Sequence, residues 1–281
     1  FDGLENYQLI QVQTQHWPAP PQCDAAQLQA LVARRLDALQ RAGDLPMAGL
    51  GAMKKAELHA ALTAMAGAWA AVGEEFAQAA PRIAVEHSHQ GVLLRDWVDG
   101  VYRNDGGERT WVQLLPSKLL TGGKRPQPRL DKLLEPWLRT LLTAAIGQHV
   151  QGRVVGQDGV LHLQPMSQEQ AQESLHTLCA LWQQGQQAPL PLPLPLRTAL
   201  ALLDSHHAPD WAKAQAAYEG SDYDDRLAEV HELCLARTFA DFAALCAARA
   251  PDGTGLAEMA PQVYGPLLQW ASTCVSAQPH A

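Results

Sequence analysis

Asn104-Asp105-Gly106-Gly107 sits between two runs rich in Val, Leu, Trp and Tyr, and no other feature narrows the fold as much. Asn, Asp and Gly accept the left-handed backbone of a tight turn, so β-prone residues on both sides predict a hairpin there. Three antiparallel strands are expected, over about 82–87, 91–102 and 109–115. A second hairpin, "GRVVGQDGVLHLQP", has its turn at Gln157-Asp158-Gly159.

Helical periodicity flanks these runs. Residues 1–22 end in "WPAPPQ", which is too rich in proline to be helical throughout. Asp24 with Gln27 has the pattern of an N-terminal cap, and Leu28, Leu31, Val32, Leu36 and Leu39 then share one helical face until Gly43. "LPMAGLG" (45–51) reads as a tight turn before a helix over about 52–79, with Leu58, Leu62, Met65, Trp69 and Val72 on one face and Pro81 ending it. Further helices are expected at 130–147, at 168–185 behind a Ser167/Gln170 cap, and at about 209–218, 224–249 and 256–275. "APLPLPLPLRTALALL" (188–203) reads as an extended, polyproline-like surface strap that becomes helical after Pro195. This order predicts an α+β fold, or α/β, with a central mixed sheet, flanking helices and a helical C-terminal part.

Of 281 residues, 47% are hydrophobic and 18% charged, enough to build a core without a disulfide or metal staple. The five cysteines are odd in number and form no CxxC pair, which disfavours a disulfide framework or zinc ribbon and suits a reducing cytoplasm. Twenty-one basic residues against 29 acidic ones give −8, which excludes a uniformly basic DNA coat but not a local DNA contact. No apolar run reaches about 18 residues, so neither a transmembrane helix nor a membrane partner is expected. The chain starts at Phe1 without a signal peptide and reads as a segment of a longer protein.

Most enzyme signatures are missing. "TGGKRP" (121–126) has Arg125 after Lys124, where a phosphate loop needs Ser or Thr for magnesium, and "AGLGAM" (48–53) has no Lys. His87 and His89 share a strand face, and His206-His207 sits in a loop, but neither pair has a third ligand at usable spacing. No Gly-x-Ser-x-Gly elbow is present. One arrangement does carry chemistry. PD-(D/E)xK nucleases place an Asp on one strand and, on the next, an acid and a Lys at i and i+2. The carboxylates hold a magnesium ion that activates water, and the i, i+2 spacing puts acid and Lys on one face.

The segment 92–124 is similar to that unit in RecB-family nucleases. Asp99 in "WVDGVY" takes the first metal position, while the acid position reads Gln113 and the lysine position reads Leu115. A neutral amide is a poor magnesium ligand and a leucine carries no charge, so the frame is present with a degenerate active site. His59 in "AELHAAL" is a loose match to the upstream helix histidine of that family.

The ordered pieces "GDLPMAGLG", "LLRDWVDGVY", "RLDKLLEPWLRTLLTAAIG", "PLPLPLRTALALL", "AYEG" and "VYGPLL" extend the likeness over nearly the whole chain. Together they resemble the C-terminal domain of the RecC-type gamma subunit of exodeoxyribonuclease V. The resemblance implies one nuclease-like domain at the C-terminal end of a longer chain: a helical part at about 24–80, a sheet core at 82–165 and a helical tail at 167–275. It implies a place in a bacterial, cytoplasmic RecBCD-type helicase–nuclease acting in double-strand-break repair and homologous recombination. RecB-type and RecD-type partners would use ATP and magnesium, whereas this domain would hold no cofactor, hydrolyse nothing and border the point of DNA strand separation.

The local DNA-binding candidates are Lys118, Lys124, Arg125, Arg129 and Lys132, with Arg139, in a segment whose acids are Asp131 and Glu135. Arg95 and Arg103 flank the first hairpin and are weaker candidates, while Trp97 and Trp111 suit a half-buried strand better than base stacking. Two rival readings remain: an active magnesium nuclease using Asp99 with Asp96, Asp105 or Glu108, and a protein scaffold that never touches DNA.

Overall fold

The computed structural model of the protein describes residues 6–46, 48–192, 197–203, 209–220 and 228–280. In chain order its elements are α1 (Asn6–Thr14), α2 (Ala25–Ala42), α3 (Ala48–Glu75), β1 (Gln78–Ala79), β2 (Ile83–His89), β3 (Val92–Val98), β4 (Val101–Arg103) and β5 (Arg109–Leu114). Then come α4 (Leu134–Ala145), β6 (Gln151–Val155), β7 (Gly159–Leu163), α5 (Gln168–Gly185), α6 (Arg197–Leu203), α7 (Trp211–Glu219), α8 (Leu233–Thr238), α9 (Phe242–Ala247), α10 (Leu256–Cys274) and β8 (Val275–Pro279). The fold is mixed α+β, as expected.

Helix ends follow their caps. The Asp24 carboxylate accepts from Gln27 N at 3.0 Å, and Gly43, at φ +84°, closes α2. Ser167 Oγ accepts from Gln170 N at 3.2 Å and opens α5. Such caps contribute about 1 kcal/mol each. The turn expected over 45–51 is shorter, because α3 is already helical at Ala48. Gly51 lets the first turn pass the Pro46 carbonyl, where a Cβ would lie 1.8 Å from the oxygen. The same helix stops at Glu75, well before Pro81.

The long strand expected at 91–102 is two strands in different sheets. Asp99-Gly100 breaks it, with Gly100 at φ +69° and a would-be Cβ 2.9 Å from Val112 O. Both the backbone sign and the close approach demand glycine. On one side β2 and β3 form a two-stranded ribbon, turning at Gln90-Gly91 with positive φ at both. On the other, β4 enters a six-stranded sheet of order β1-β4-β5-β6-β7-β8. Within it β5 and β6 are parallel, joined through α4, and the other pairs are antiparallel.

Alternation along the strands buries both faces. Val101, Trp111, Val154, Leu161 and Leu163 face α4, α5 and α10, packing with Trp137, Leu141, Leu175 and Leu267. Val112, Val155 and Val160 face the other way, onto Leu58, Leu62, Met65, Val72 and Phe76 of α3 and its end. A third cluster holds Leu202, Tyr218, Phe242 and Leu245 together beside α10.

Three further expectations need correcting. The helix expected over 224–249 is interrupted: a 3-10 turn at Glu229–His231 precedes α8 and α9, and 221–227 lie outside the described residues. Tyr218 Oη donates to Phe239 O at 2.6 Å, and Asp241 caps α9 through Ala244 N, so both hold the break. The Leu-Pro strap is not a surface feature where it is described. Pro191 is buried, and Leu190 and Leu192 pack on the main core, with 193–196 outside the described residues. Finally, β8 was not expected: the chain leaves α10 directly into a strand that pairs with β7 from Leu163↔Val275 to Gly159↔Pro279. No described helix is long and apolar enough to cross a membrane.

Candidate functional site

The nuclease-like positions lie on β5 and on the break before β4. Val101 pairs with Trp111, and Val112 N donates to Gly100 O at 2.9 Å, so the ladder closes at Gly100, one residue after Asp99. Asp99 is exposed, and its Oδ2 accepts from the Trp97 indole Nε1 at 2.8 Å. Gln113 is half-buried, and its Oε1 is shielded from solvent without a hydrogen-bond partner. Leu115 lies just past β5, where its N donates to Val155 O at 2.9 Å and its side chain packs on the main core. The three positions thus carry an exposed carboxylate, a half-buried amide and an aliphatic side chain packed on the core.

The other acids do not converge there. Asp96 accepts from Trp97 N, Asp105 from Gln78 Nε2 and Glu108 from Asn104 Nδ2. The turn carrying Asp105 and Glu108 is at the far end of β4, about 13 Å along the strand from Asp99. His59 is exposed on α3, the layer covering the opposite sheet face from Trp111. Among the described residues, no group of three His, Cys, Asp or Glu is placed to hold a metal ion.

The histidines of β2 find a partner that spacing along the strand does not reveal. His176 of α5 stacks on His89 at 3.7 Å between ring centroids, with 12° between planes, and lies 5.2 Å from His87. Near-parallel stacking presents ring faces to one another and aims the nitrogens apart, unlike a metal site. Desolvation, then the neighbouring His89 and His87, push the His176 pKa below its ordinary value. His206 and His207 lie outside the described residues.

The basic segment 117–129 is a loop pinned at its base. The Asp158 carboxylate accepts from Leu119 N at 2.7 Å and Leu120 N at 3.3 Å. Thr121 N donates to Gln127 O at 2.8 Å and Arg129 N to Leu119 O at 2.7 Å, closing a finger with Lys124 and Arg125 at its exposed tip. Lys118 is also exposed. Arg129 and Lys132 are differently placed. Arg129 grips Asp131 with two bonds of 3.1 and 2.9 Å, and Lys132 Nζ lies 3.5 Å from the same carboxylate. Partial burial works against the charge on Asp131, but Arg129 and Lys132 outweigh it and hold its pKa below the usual value. Arg139 pairs with Glu135 at 3.1 Å and Arg95 with Glu86 at 3.0 Å.

Of the two tryptophans, Trp111 is fully buried as expected, whereas Trp97 is 52% exposed. It lies on β3 under the Arg82 guanidinium, so the core reading fails for it.

A family model described as the RecC C-terminal domain matches residues 1–207. No curated protein matches the chain.

Proposed function

The chain belongs to the RecC C-terminal domain family, which makes it part of a RecBCD-type DNA repair complex with RecB and RecD partners; from that premise we propose that it is an inactive PD-(D/E)xK-like domain that helps hold those partners and guides DNA. The supporting observation is that Gln113 and Leu115 stand on β5 and just past it where an acid and a lysine would, the amide half-buried and the leucine packed on the core. One carboxylate and one neutral amide hold a magnesium ion only weakly, and Leu115 supplies no charge to assist. On this reading ATP and magnesium serve the partner subunits. The 281 residues act as one nuclease-like domain, and the exposed Lys118, Lys124 and Arg125 contact DNA phosphates.

The test is a nuclease assay on the folded protein, with linear single- and double-stranded DNA in magnesium or manganese. The expected result is no cleavage. Metal-dependent cleavage that Asp99→Ala abolishes would overturn the proposal. Co-purification with RecB and RecD partners is the companion measurement, and its failure would remove the partner-holding role.

A further inference from the structure

Arg82, Arg103 and Arg109 line one cleft of about 450 Å³, floored by Ile83 and Ile146. No carboxylate lines it among the described residues. Each guanidinium meets only a neutral group. Arg103 Nε donates to Gln78 Oε1 at 2.8 Å, Arg109 Nη2 donates to Gln148 Oε1, and Arg82 lies over the Trp97 ring at 4.8 Å. None of the three makes an ion pair among the described residues.

This is an unexpected concentration for a chain of net charge −8. It is also unfavourable to the fold, because Arg103 and Arg109 are direct cross-strand partners. Like charges in that position destabilise a sheet, and local conflicts of this kind collect at functional sites. Guanidinium forks suit the paired oxygens of phosphates and carboxylates. The exposed indole of Trp97, reached through Arg82, adds a flat apolar surface to the charged row.

We infer that the Arg82–Arg103–Arg109 cleft binds the phosphodiester backbone of single-stranded nucleic acid, with a neighbouring base stacked on Trp97. Stacking is what a base requires and an acidic peptide does not. Asp99 accepts the indole N–H and so fixes the ring plane. The three arginines lie outside the Lys124–Arg125 finger, and the assignment rests on the DNA-guiding reading for its choice of polymer.

The experiment uses the assembled complex with its RecB and RecD partners and a single-stranded oligonucleotide carrying 5-iodouracil, which photo-cross-links to stacked aromatic rings. Mass spectrometry then locates the cross-links on this chain. Cross-linking at Trp97 is expected, and it should fall about tenfold in Arg103→Gln/Arg109→Gln, the loss of two charge-assisted contacts. The same variant should melt no lower than the parent, because a like-charge pair has been removed. Cross-links elsewhere on the chain but not at Trp97 would overturn the cleft and leave DNA guiding intact. No cross-link anywhere on the chain would overturn both. Lost partner assembly with unchanged cross-linking would overturn the assignment in favour of an acidic protein segment.

Discussion

Asp158 should hold the basic finger to the sheet. Its carboxylate is the acceptor for two successive backbone N–H groups, at 2.7 Å from Leu119 and 3.3 Å from Leu120, and both leucines are buried. Both bonds are partly buried, so water replaces the lost acceptor incompletely. A hydrogen bond to a charged group contributes about 1.5–3 kcal/mol, and the longer contact counts for less, so Asp158→Ala should destabilise by about 2–4 kcal/mol. For a protein of this size that is a fall of about 3–7 °C in Tm. Asp158→Asn keeps one neutral acceptor and should lose about half as much. Gln157, which bonds Pro116 O through Nε2 at 2.6 Å and Ser117 O through N at 3.1 Å, stays in place in both variants, so the loop's base is weakened without being abolished. Thermal unfolding by circular dichroism supplies the stability, and hydrogen exchange over 117–129 supplies the local effect. A loss under about 1 kcal/mol for Asp158→Ala, or equal losses for Ala and Asn, would refute the reasoning.

Rebuilding the ion site offers a second test: Gln113→Glu with Leu115→Lys should gain magnesium-dependent stabilisation of about 1.4 kcal/mol at ten times Kd, read as a Tm shift that the parent lacks. An unchanged Tm across a magnesium titration would mean that Asp99 and position 113 do not share an ion. Gly152→Ala places a Cβ 2.4 Å from Cζ2 of the fully buried Trp111, so urea unfolding should show a loss of about 1–3 kcal/mol; a neutral result would show that the indole has room to move. The His176 pKa is lowered in the fold by desolvation and then by His89 and His87, so below the ordinary 6.5 the unfolded chain binds the extra proton. Stability is therefore full above about pH 6.5 and falls on acidification, and His176→Gln should flatten that slope below about pH 6.5. An identical slope in the variant would place the titration elsewhere.

Local chemistry made much of this fold legible. The Asp24 and Ser167 caps, the Gly43 stop and both hairpin turns are written in neighbouring residues, and they form as read. The exposed cations Lys118, Lys124 and Arg125 were legible for the same reason, since one short loop carries them. Features decided by distant pairing were not. Nothing in "WVDGVYR" says that the strand changes sheets at Gly100, because that depends on Val112 meeting Gly100 from the neighbouring strand. The stretch "VSAQP" has weak β preference and becomes a strand because β7 offers it a ladder. Arg129 and Lys132 look like open cations in the sequence, yet geometry gives both to Asp131. Arg82, Arg103 and Arg109 look scattered until register and the β1–β2 bend bring them to one cleft.

The placement of β8 has a consequence during synthesis. Its partner β7 leaves the ribosome long before it, with everything from 164 to 274 still to be made. At about 5–20 residues per second that delay lasts about 5–20 s. Throughout it, the apolar strand Gly159–Leu163 presents an unpaired ladder to any other nascent chain. Once β8 docks, the outermost position opposite Gly159 is Pro279, which has no N–H to offer a further strand. A stop before Val275 would make the temporary opening permanent, and such a product should be a client for chaperones or a seed for aggregates even though most of its core is intact.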